Sequence, residues 1–261
     1  LSRLKPLGPR LERSEHCQTT QVIQSGDIQY ATFVNKLYES HSIQRSICFI
    51  APGRINDFQE PLWVILDTVK RKFPWPGKEE PYELAETFFH LNAPDSELGI
   101  DNDSQTVWSK HSGKSKMIKR FECNDIYFNR DYELFNFHNY LKAIQTSDSN
   151  ANIQISAIPN KNDSHYVFNM RVGKSFTCQY GGRVERPVVS FMYNGNLPYT
   201  CAYVLIPFKG LRNKPYAQVF GEHNKKKIIA SINSQNFTTK LEISQFTSTK
   251  PIISYTKRLN K

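Results

Sequence analysis

Residues 200–208, with the sequence TCAYVLIPF, are apolar along most of their length and decide the fold class that we predict. The part from Tyr203 to Pro207 is apolar on both sides of an extended chain. Such a segment is typical of a strand covered on both faces, in the centre of a sheet. The sequence therefore predicts a central strand here, with other strands beside it.

Similar short segments surround this strand and are separated by turns that carry Gly, Pro, Asn and Lys. In the first of them, Gln154 separates Ile153 from Ile155, and this alternation predicts a sheet with one face in water. We therefore predict an antiparallel β-sandwich or barrel over 149–261, with strands near 152–158, 165–172, 187–193, 200–208, 217–220, 226–232, 237–243 and 251–257.

The first part of the chain has a different pattern. Apolar residues recur at three and four positions from Ile28, and Pro61 and Pro81 precede further segments of this kind, which predicts helices. We expect helices over 28–38, 61–73, 82–91 and 132–145, and one short strand over 47–51. The predicted fold class is α+β, with a basic irregular arm (1–27), a mainly helical region (28–148) and the basic antiparallel β domain (149–261).

Charge is distributed unevenly between these parts. The whole chain has a formal net charge of +10, yet residues 151–261 alone hold sixteen Lys and Arg against four acidic residues. Such an excess of positive charge is more than solubility requires, and it favours a polyanionic partner. Conversely, residues 79–103 contain eight acids and no Lys or Arg.

Many of the basic residues fall in predicted loops, where they could contact the phosphate backbone of DNA or RNA. We expect two of these loops, 209–214 and 225–227, to share one end of the sheet. Tyr180, Tyr193, Tyr199, Tyr216 and Phe220 could stack on the bases of a single strand. The predicted nucleic-acid-binding residues are Arg183, Arg186, Lys209, Arg212, Lys214, Lys225, Lys226, Lys227, Lys114, Lys116, Lys119 and Arg120.

The catalytic and metal-binding patterns in this sequence are incomplete or absent. Residues 113–115 lack the first half of a phosphate-binding loop, and residues 101–112 lack the Gly and Glu of a calcium loop. No nucleophile motif occurs, so we assign no catalytic residue, metal or cofactor. A magnesium site formed by Asp101, Asp103 and Glu122 would make the protein a nuclease, and this is the weaker alternative.

The leading hypothesis is therefore a non-catalytic nucleic-acid-binding protein that contacts phosphates through basic loops of a β-rich domain. The alternative is a protein-interaction or self-assembly module that uses the acidic segment 79–103. Five widely spaced cysteines favour a reducing compartment, so we expect an intracellular location, nuclear in a eukaryote. No apolar run reaches the roughly 20 residues that span a bilayer, so we expect no membrane partner.

Overall fold

A computed structural model gives the fold of this chain. It describes residues 17–35, 40–51, 61–73, 76, 83–91, 97–110, 151–159, 167–179, 182–223, 227–235, 237–246 and 251–259. Every regular element among these residues is a β-strand. The strands are β1 (Cys17–Ser25), β2 (Ile28–Asn35), β3 (His41–Ile50), β4 (Leu62–Arg71), β5 (Glu83–His90), β6 (Glu97–Asp101), β7 (Thr106–Lys110), β8 (Ala151–Pro159), β9 (Val167–Gln179), β10 (Gly182–Gly195), β11 (Tyr199–Lys209), β12 (Ala217–His223), β13 (Lys227–Ser234), β14 (Phe237–Ser244) and β15 (Ile252–Leu259).

The strands form three antiparallel sheets. A central sheet has eight strands in the order β1-β2-β3-β4-β11-β8-β7-β6. One sheet of three strands has the order β5-β10-β9, and one of four strands has the order β12-β13-β14-β15. Neighbours in the chain are therefore neighbours in the sheets in most cases, as short hairpin connections require.

Each smaller sheet covers one face of the central sheet. The first core contains Val64, Val204, Ile206, Ile228 and Ile243, which come from the central sheet and the four-stranded sheet. The second contains Ile155, Phe191 and Tyr203, which come from the central sheet and the three-stranded sheet. The molecule therefore has three layers, and the central sheet is the middle one.

The prediction for residues 200–208 is confirmed. They lie in β11, between β4 and β8, and this strand has buried side chains on both faces. Ala202 and Val204 point into the first core, while Cys201 and Tyr203 point into the second. The other strands predicted after residue 149 overlap observed strands, but β9 continues to Gln179 and β10 already begins at Gly182, so both are much longer than the predicted 165–172 and 187–193.

The predicted α+β class is wrong, because no helix occurs among the described residues. The helices predicted over 28–38, 61–73 and 82–91 correspond to β2, β4 and β5. The strand predicted over 47–51 corresponds to the last four residues of β3, which is longer than predicted. In β4, Leu66, Asp67 and Thr68 are consecutive and all buried, because both faces of this strand are covered. Burial on both faces removes the alternation that identifies a strand. The fourth predicted helix, 132–145, lies outside the described residues.

The expectation of a water-exposed face at Gln154 is also wrong. The Gln154 side chain is completely buried between the central sheet and the four-stranded sheet. Its Nε2 donates to the Ala217 carbonyl over 2.7 Å, and its Oε1 accepts from the Ala217 N–H over 3.0 Å. The polar residue in the alternating pattern therefore joins two layers.

The proposed division of the chain at residue 148 stays a prediction, although the central sheet draws strands from both sides of that residue. In the same way, β1 lies within the residues predicted as an irregular arm. Among the described residues, no helix has the length and apolar character needed to cross a membrane.

Candidate polyanion-binding site

The loop between β11 and β12, residues 210–216, is held by hydrogen bonds from two neighbouring strands. The Trp108 indole N–H of β7 donates to the Arg212 carbonyl over 3.1 Å. The Asn152 side-chain amide of β8 donates to the Gly210 carbonyl over 2.9 Å, and Ser109 Oγ donates to the other end of that amide over 2.9 Å. These bonds fix the backbone of the loop at two points.

Aromatic contacts fix the side chains of the same loop. The Tyr216 ring stacks on Phe208, with ring centroids 5.4 Å apart and an angle of 6° between the planes. The Arg212 guanidinium lies 4.8 Å from the centroid of the Tyr216 ring, within the distance of a cation–π contact. Arg212 is therefore held at its carbonyl and at its guanidinium.

The Trp108 ring also positions a second basic residue. Lys110 Nζ lies 5.9 Å from the centroid of this ring, and the ring itself is only 5% exposed. The indole lies directly against Gly99 on β6, where a Cβ atom would overlap the ring. Gly99 therefore makes room for the tryptophan that supports both Lys110 and the loop.

We call Lys110, Lys209, Arg212 and Lys214 the cationic corner. Lys209 and Lys214 are exposed, while Lys110 and Arg212 are partly exposed. Three of these four residues were predicted as binding residues from the sequence: Arg212 and Lys214 lie in the loop, and Lys209 ends the strand that precedes it. Lys110 was missed, although it begins the basic stretch that contains Lys114.

The direction of the three-stranded sheet follows from two contacts with β4. Arg71 donates to Glu83 Oε1 over 2.6 Å, and Thr87 Oγ1 donates to Asp67 Oδ2 over 3.0 Å. Since four residues separate the contacts on each strand, β5 lies along β4 and runs antiparallel to it. Strand β10 is antiparallel to β5, so β10 runs in the same direction as β4.

Arg183 and Arg186 lie on the part of β10 that pairs with β9 and extends beyond β5. Because β10 runs in the same direction as β4, the part of β10 before Val188, which pairs only with β9, extends past the start of β4. Lys209 ends β11 on the same side, because Leu205 already pairs with Trp63 near the start of β4. The backbone of the two arginines is therefore directed toward the end of the molecule that carries the cationic corner.

Lys227 lies at the other end of the molecule from the cationic corner. The expectation that it shares one end of the sheet with residues 209–214 is therefore wrong. Strand β12 begins at Ala217, beside Gln154, and reaches Ile158 at Gly221, so it runs parallel to β8. Its last residue, His223, pairs with Ile228, the neighbour of Lys227. Lys227 Nζ also forms an ion pair with Glu242 over 2.7 Å.

Several predicted binding residues lie outside the part of the chain that the structure describes. They are Lys114, Lys116, Lys119, Arg120, Lys225 and Lys226. Their role in binding stays a prediction.

Most of the aromatic residues proposed to stack on bases have their ring faces covered. Tyr193 and Tyr199 stack on each other in the second core, with centroids 3.8 Å apart. Tyr216 contacts Phe208 and the Arg212 guanidinium. Phe220 remains 55% exposed, and Tyr180 lies outside the described residues. The described members of this group therefore do not form a series of open rings for single-stranded bases.

Two acidic residues of the alternatives, Asp101 and Glu83, have structural partners. Asp101 Oδ1 accepts hydrogen bonds from the backbone of Asp103 over 3.1 Å and Ser104 over 3.3 Å, so it stabilises a turn. Glu122 lies outside the described residues. Across the described part of the chain, no group of three or more His, Cys, Asp or Glu side chains could hold a metal ion. In segment 79–103, Glu83 accepts from Arg71 and lies 3.5 Å from His41 Nε2.

Two cysteines of the described residues are free thiols in the cores. Burial raises the pKa of Cys48 and of Cys201 to about 12, so both stay protonated at neutral pH. A buried, protonated thiol is a poor nucleophile.

Comparisons with known proteins give similarity at the level of the fold. No family model and no curated protein sequence matches the chain. The structure is similar to the heparan sulfate lyase HepC from Pedobacter heparinus, with a TM-score of 0.51 and 14% identity over 92% of this chain and 28% of that one. It is also similar to the heparinase III BT4657 gene product, with a TM-score of 0.50 and 10% identity over 94% of this chain and 28% of that one. This chain thus spans just over a quarter of the length of these two proteins.

Proposed function

We propose that this protein binds an acidic polysaccharide through the cationic corner. The observation that carries the proposal is the anchored loop at residues 210–216. Hydrogen bonds from Trp108 and Asn152 hold its backbone, and Tyr216 holds the Arg212 guanidinium. A loop that is ordered before binding loses less conformational entropy when its ligand arrives, which strengthens binding.

The chemistry of the corner suits sulfate and carboxylate groups. Arg212 offers planar N–H donors that match the oxygen atoms of such groups, and Lys209 and Lys214, close to it along the chain, add exposed point charges. The excess of positive charge over residues 151–261 would attract a polyanion from a distance and accelerate its association.

Two observations favour a polysaccharide over a nucleic acid. Binding of single-stranded DNA or RNA relies on open aromatic rings, and the rings of Tyr193, Tyr199 and Tyr216 are occupied by neighbours. The names of both similar structures, a heparan sulfate lyase and a heparinase, denote proteins that act on sulfated polysaccharides. Nucleic-acid binding through phosphate contacts is the second candidate, since the same side chains bind phosphate.

The test is a titration of fluorescently labelled heparan sulfate oligosaccharides, followed by anisotropy at low and high salt. Duplex DNA and single-stranded RNA of similar total charge are measured in parallel. We expect heparan sulfate to bind most tightly and the affinity to fall as salt rises. We expect Arg212→Ala to weaken binding roughly tenfold, because a charge-assisted hydrogen bond contributes about 1.5–3 kcal/mol and part of this is screened at the surface.

The matched control is Lys227→Ala, which removes one positive charge at the opposite end of the molecule. This control should bind as the wild type does. Equal losses in Arg212→Ala and Lys227→Ala would mean that general charge, and no particular site, attracts the polymer. Tighter binding of DNA or RNA than of heparan sulfate would favour the second candidate.

A further inference from the structure

The outer face of the four-stranded sheet, which points away from both cores, has a consistent chemistry. Outward side chains of β12, β13, β14 and β15 lie in rows because each strand pairs in register with the next. Two neighbouring rows form what we call the polar face. The first row is Gln218, Asn233, Thr238 and Arg258, and the second is Phe220, Ser231, Lys240 and Thr256.

The polar face carries both positive charge and the kinds of groups that contact sugars. Its amides and hydroxyls can donate and accept hydrogen bonds, and Phe220 is a 55% exposed aromatic ring. Lys240 and Arg258 are exposed, and neither row contains a carboxylate. The acids appear only in the next row, which holds Glu222 and Glu242. The positive part of the sheet is therefore the part near Ala217.

This part of the sheet is next to the cationic corner. Ala217 begins β12 directly after the anchored loop, and Gln218 is the first outward side chain. The neighbouring ends of β14 and β15 carry Thr238 and Arg258 in the same row. A polymer that leaves the corner therefore meets the first row of the polar face without crossing an acidic row.

We propose that the polar face is a second binding surface for the same acidic polysaccharide, continuous with the cationic corner. This inference rests on the proposed function. Four strands spaced by about 4.8 Å make each row about 14 Å long, enough for several linked sugars. A long chain then contacts corner and face together, and the second contact is strengthened because the first already holds the chain nearby.

A polysaccharide suits this face better than a protein partner does. The centre of a protein–protein interface is apolar and depleted in charge, whereas Phe220 is the one apolar residue in these two rows. Polar side chains and two cations instead match hydroxyl, sulfate and carboxylate groups.

The test uses heparan sulfate oligosaccharides of two lengths, a tetrasaccharide and a dodecasaccharide, with the double variant Lys240→Ala/Arg258→Ala. Both substituted residues are exposed, so the fold should persist, and a thermal melt checks this. We expect the variant to bind the tetrasaccharide as the wild type does, through the corner. We expect its affinity for the dodecasaccharide to fall at least tenfold. Lys227→Ala, on the same sheet but at its far end, is the control.

The possible failures are distinguishable. If the wild type binds neither oligosaccharide, both the proposed function and this inference are overturned. If the wild type binds both and the double variant binds the dodecasaccharide equally well, only the inference is overturned. A second copy of the chain is the other occupant that this face could have, and sedimentation velocity tests for it. A wild-type dimer that the double variant loses would show that a second copy of the chain covers this face, which also overturns the inference.

Discussion

Replacement of Gln154 by methionine tests the connection between the central sheet and the four-stranded sheet. Strand β12 is at the edge of its sheet, so one side of its backbone has no neighbouring strand. At Ala217 the Gln154 side-chain amide takes the place of a neighbouring strand, because it forms hydrogen bonds with both the N–H and the carbonyl. Methionine has a similar length and shape but a thioether that cannot replace these two bonds.

The expected cost follows from the groups left without partners. Gln154 is completely buried, so water does not replace it easily at the Ala217 backbone. A buried polar group that loses its partner costs about 1–3 kcal/mol, and two such groups give a loss of about 2–6 kcal/mol. Gln154 Nε2 also donates to the Ser156 hydroxyl over 3.1 Å, but this hydroxyl keeps its bond from Thr106 over 2.8 Å, so we add nothing for it.

The measurement is equilibrium urea unfolding followed by intrinsic fluorescence, with the free energy of unfolding obtained by linear extrapolation. Gln218→Met is the matched control, because Gln218 is exposed and lies next to Ala217 on β12. The control should unfold like the wild type. A loss of less than about 0.5 kcal/mol in Gln154→Met, the range of ordinary surface substitutions, would refute the role assigned to this amide.

Two further predictions concern the same pair of layers. Burial lowers the pKa of His223 to about 4, below about 6.5 in the unfolded chain, so the unfolded state takes up the proton first as the pH falls. Stability should therefore fall between pH 6.5 and 4, by about 2 kcal/mol at pH 5, and urea unfolding should show this loss in the wild type but not in His223→Gln. Gly221→Ala should lower the free energy of unfolding by about 1–3 kcal/mol, because a Cβ at this position overlaps Ile158, whereas Gly173→Ala, whose nearest neighbouring atom is 3.8 Å away, should not.

Each of these two predictions has a clear contrary outcome. The same acid-induced loss in wild type and His223→Gln would assign the pH dependence to other groups. Equal melting temperatures for Gly221→Ala and Gly173→Ala would show that the two sheets separate enough to accept a methyl group at Gly221.

Several β-strands after residue 149 were predictable from the sequence because they bear one buried and one more exposed face. The alternation is clear in β13 and β14, where buried side chains are every second residue. Strands β4 and β5 were mistaken for helices for a related reason. Both faces of β4 are buried, and β5 carries exposed Leu84 and Phe88 on its outer face, so apolar residues occur on both sides. The β-branched residues of β4 were the available signal for a strand.

The cationic corner was partly predictable. Arg212 and Lys214 are close in sequence and follow a predicted strand, so local reasoning suffices to place them in one loop, with Lys209 at the end of the strand before it. Their support comes from Trp108 and Asn152, which are distant in sequence and reach the loop only through the order of strands in the sheet. The location of Lys227 at the opposite end depends on the direction of β12 over β8, which no local pattern contains.

The sequence by itself determined the strand-rich second half, the buried central strand at 200–208 and the excess of positive charge. These properties depend on composition and on alternation over a few residues, which the chain carries locally. The tertiary structure decided that Gln154 is buried, that residues 28–35, 62–71 and 83–90 are strands, and that Lys227 lies far from the loop at residues 210–216. These outcomes depend on which sheet covers which face, because a second covering layer changes the surroundings of a side chain without changing the sequence around it.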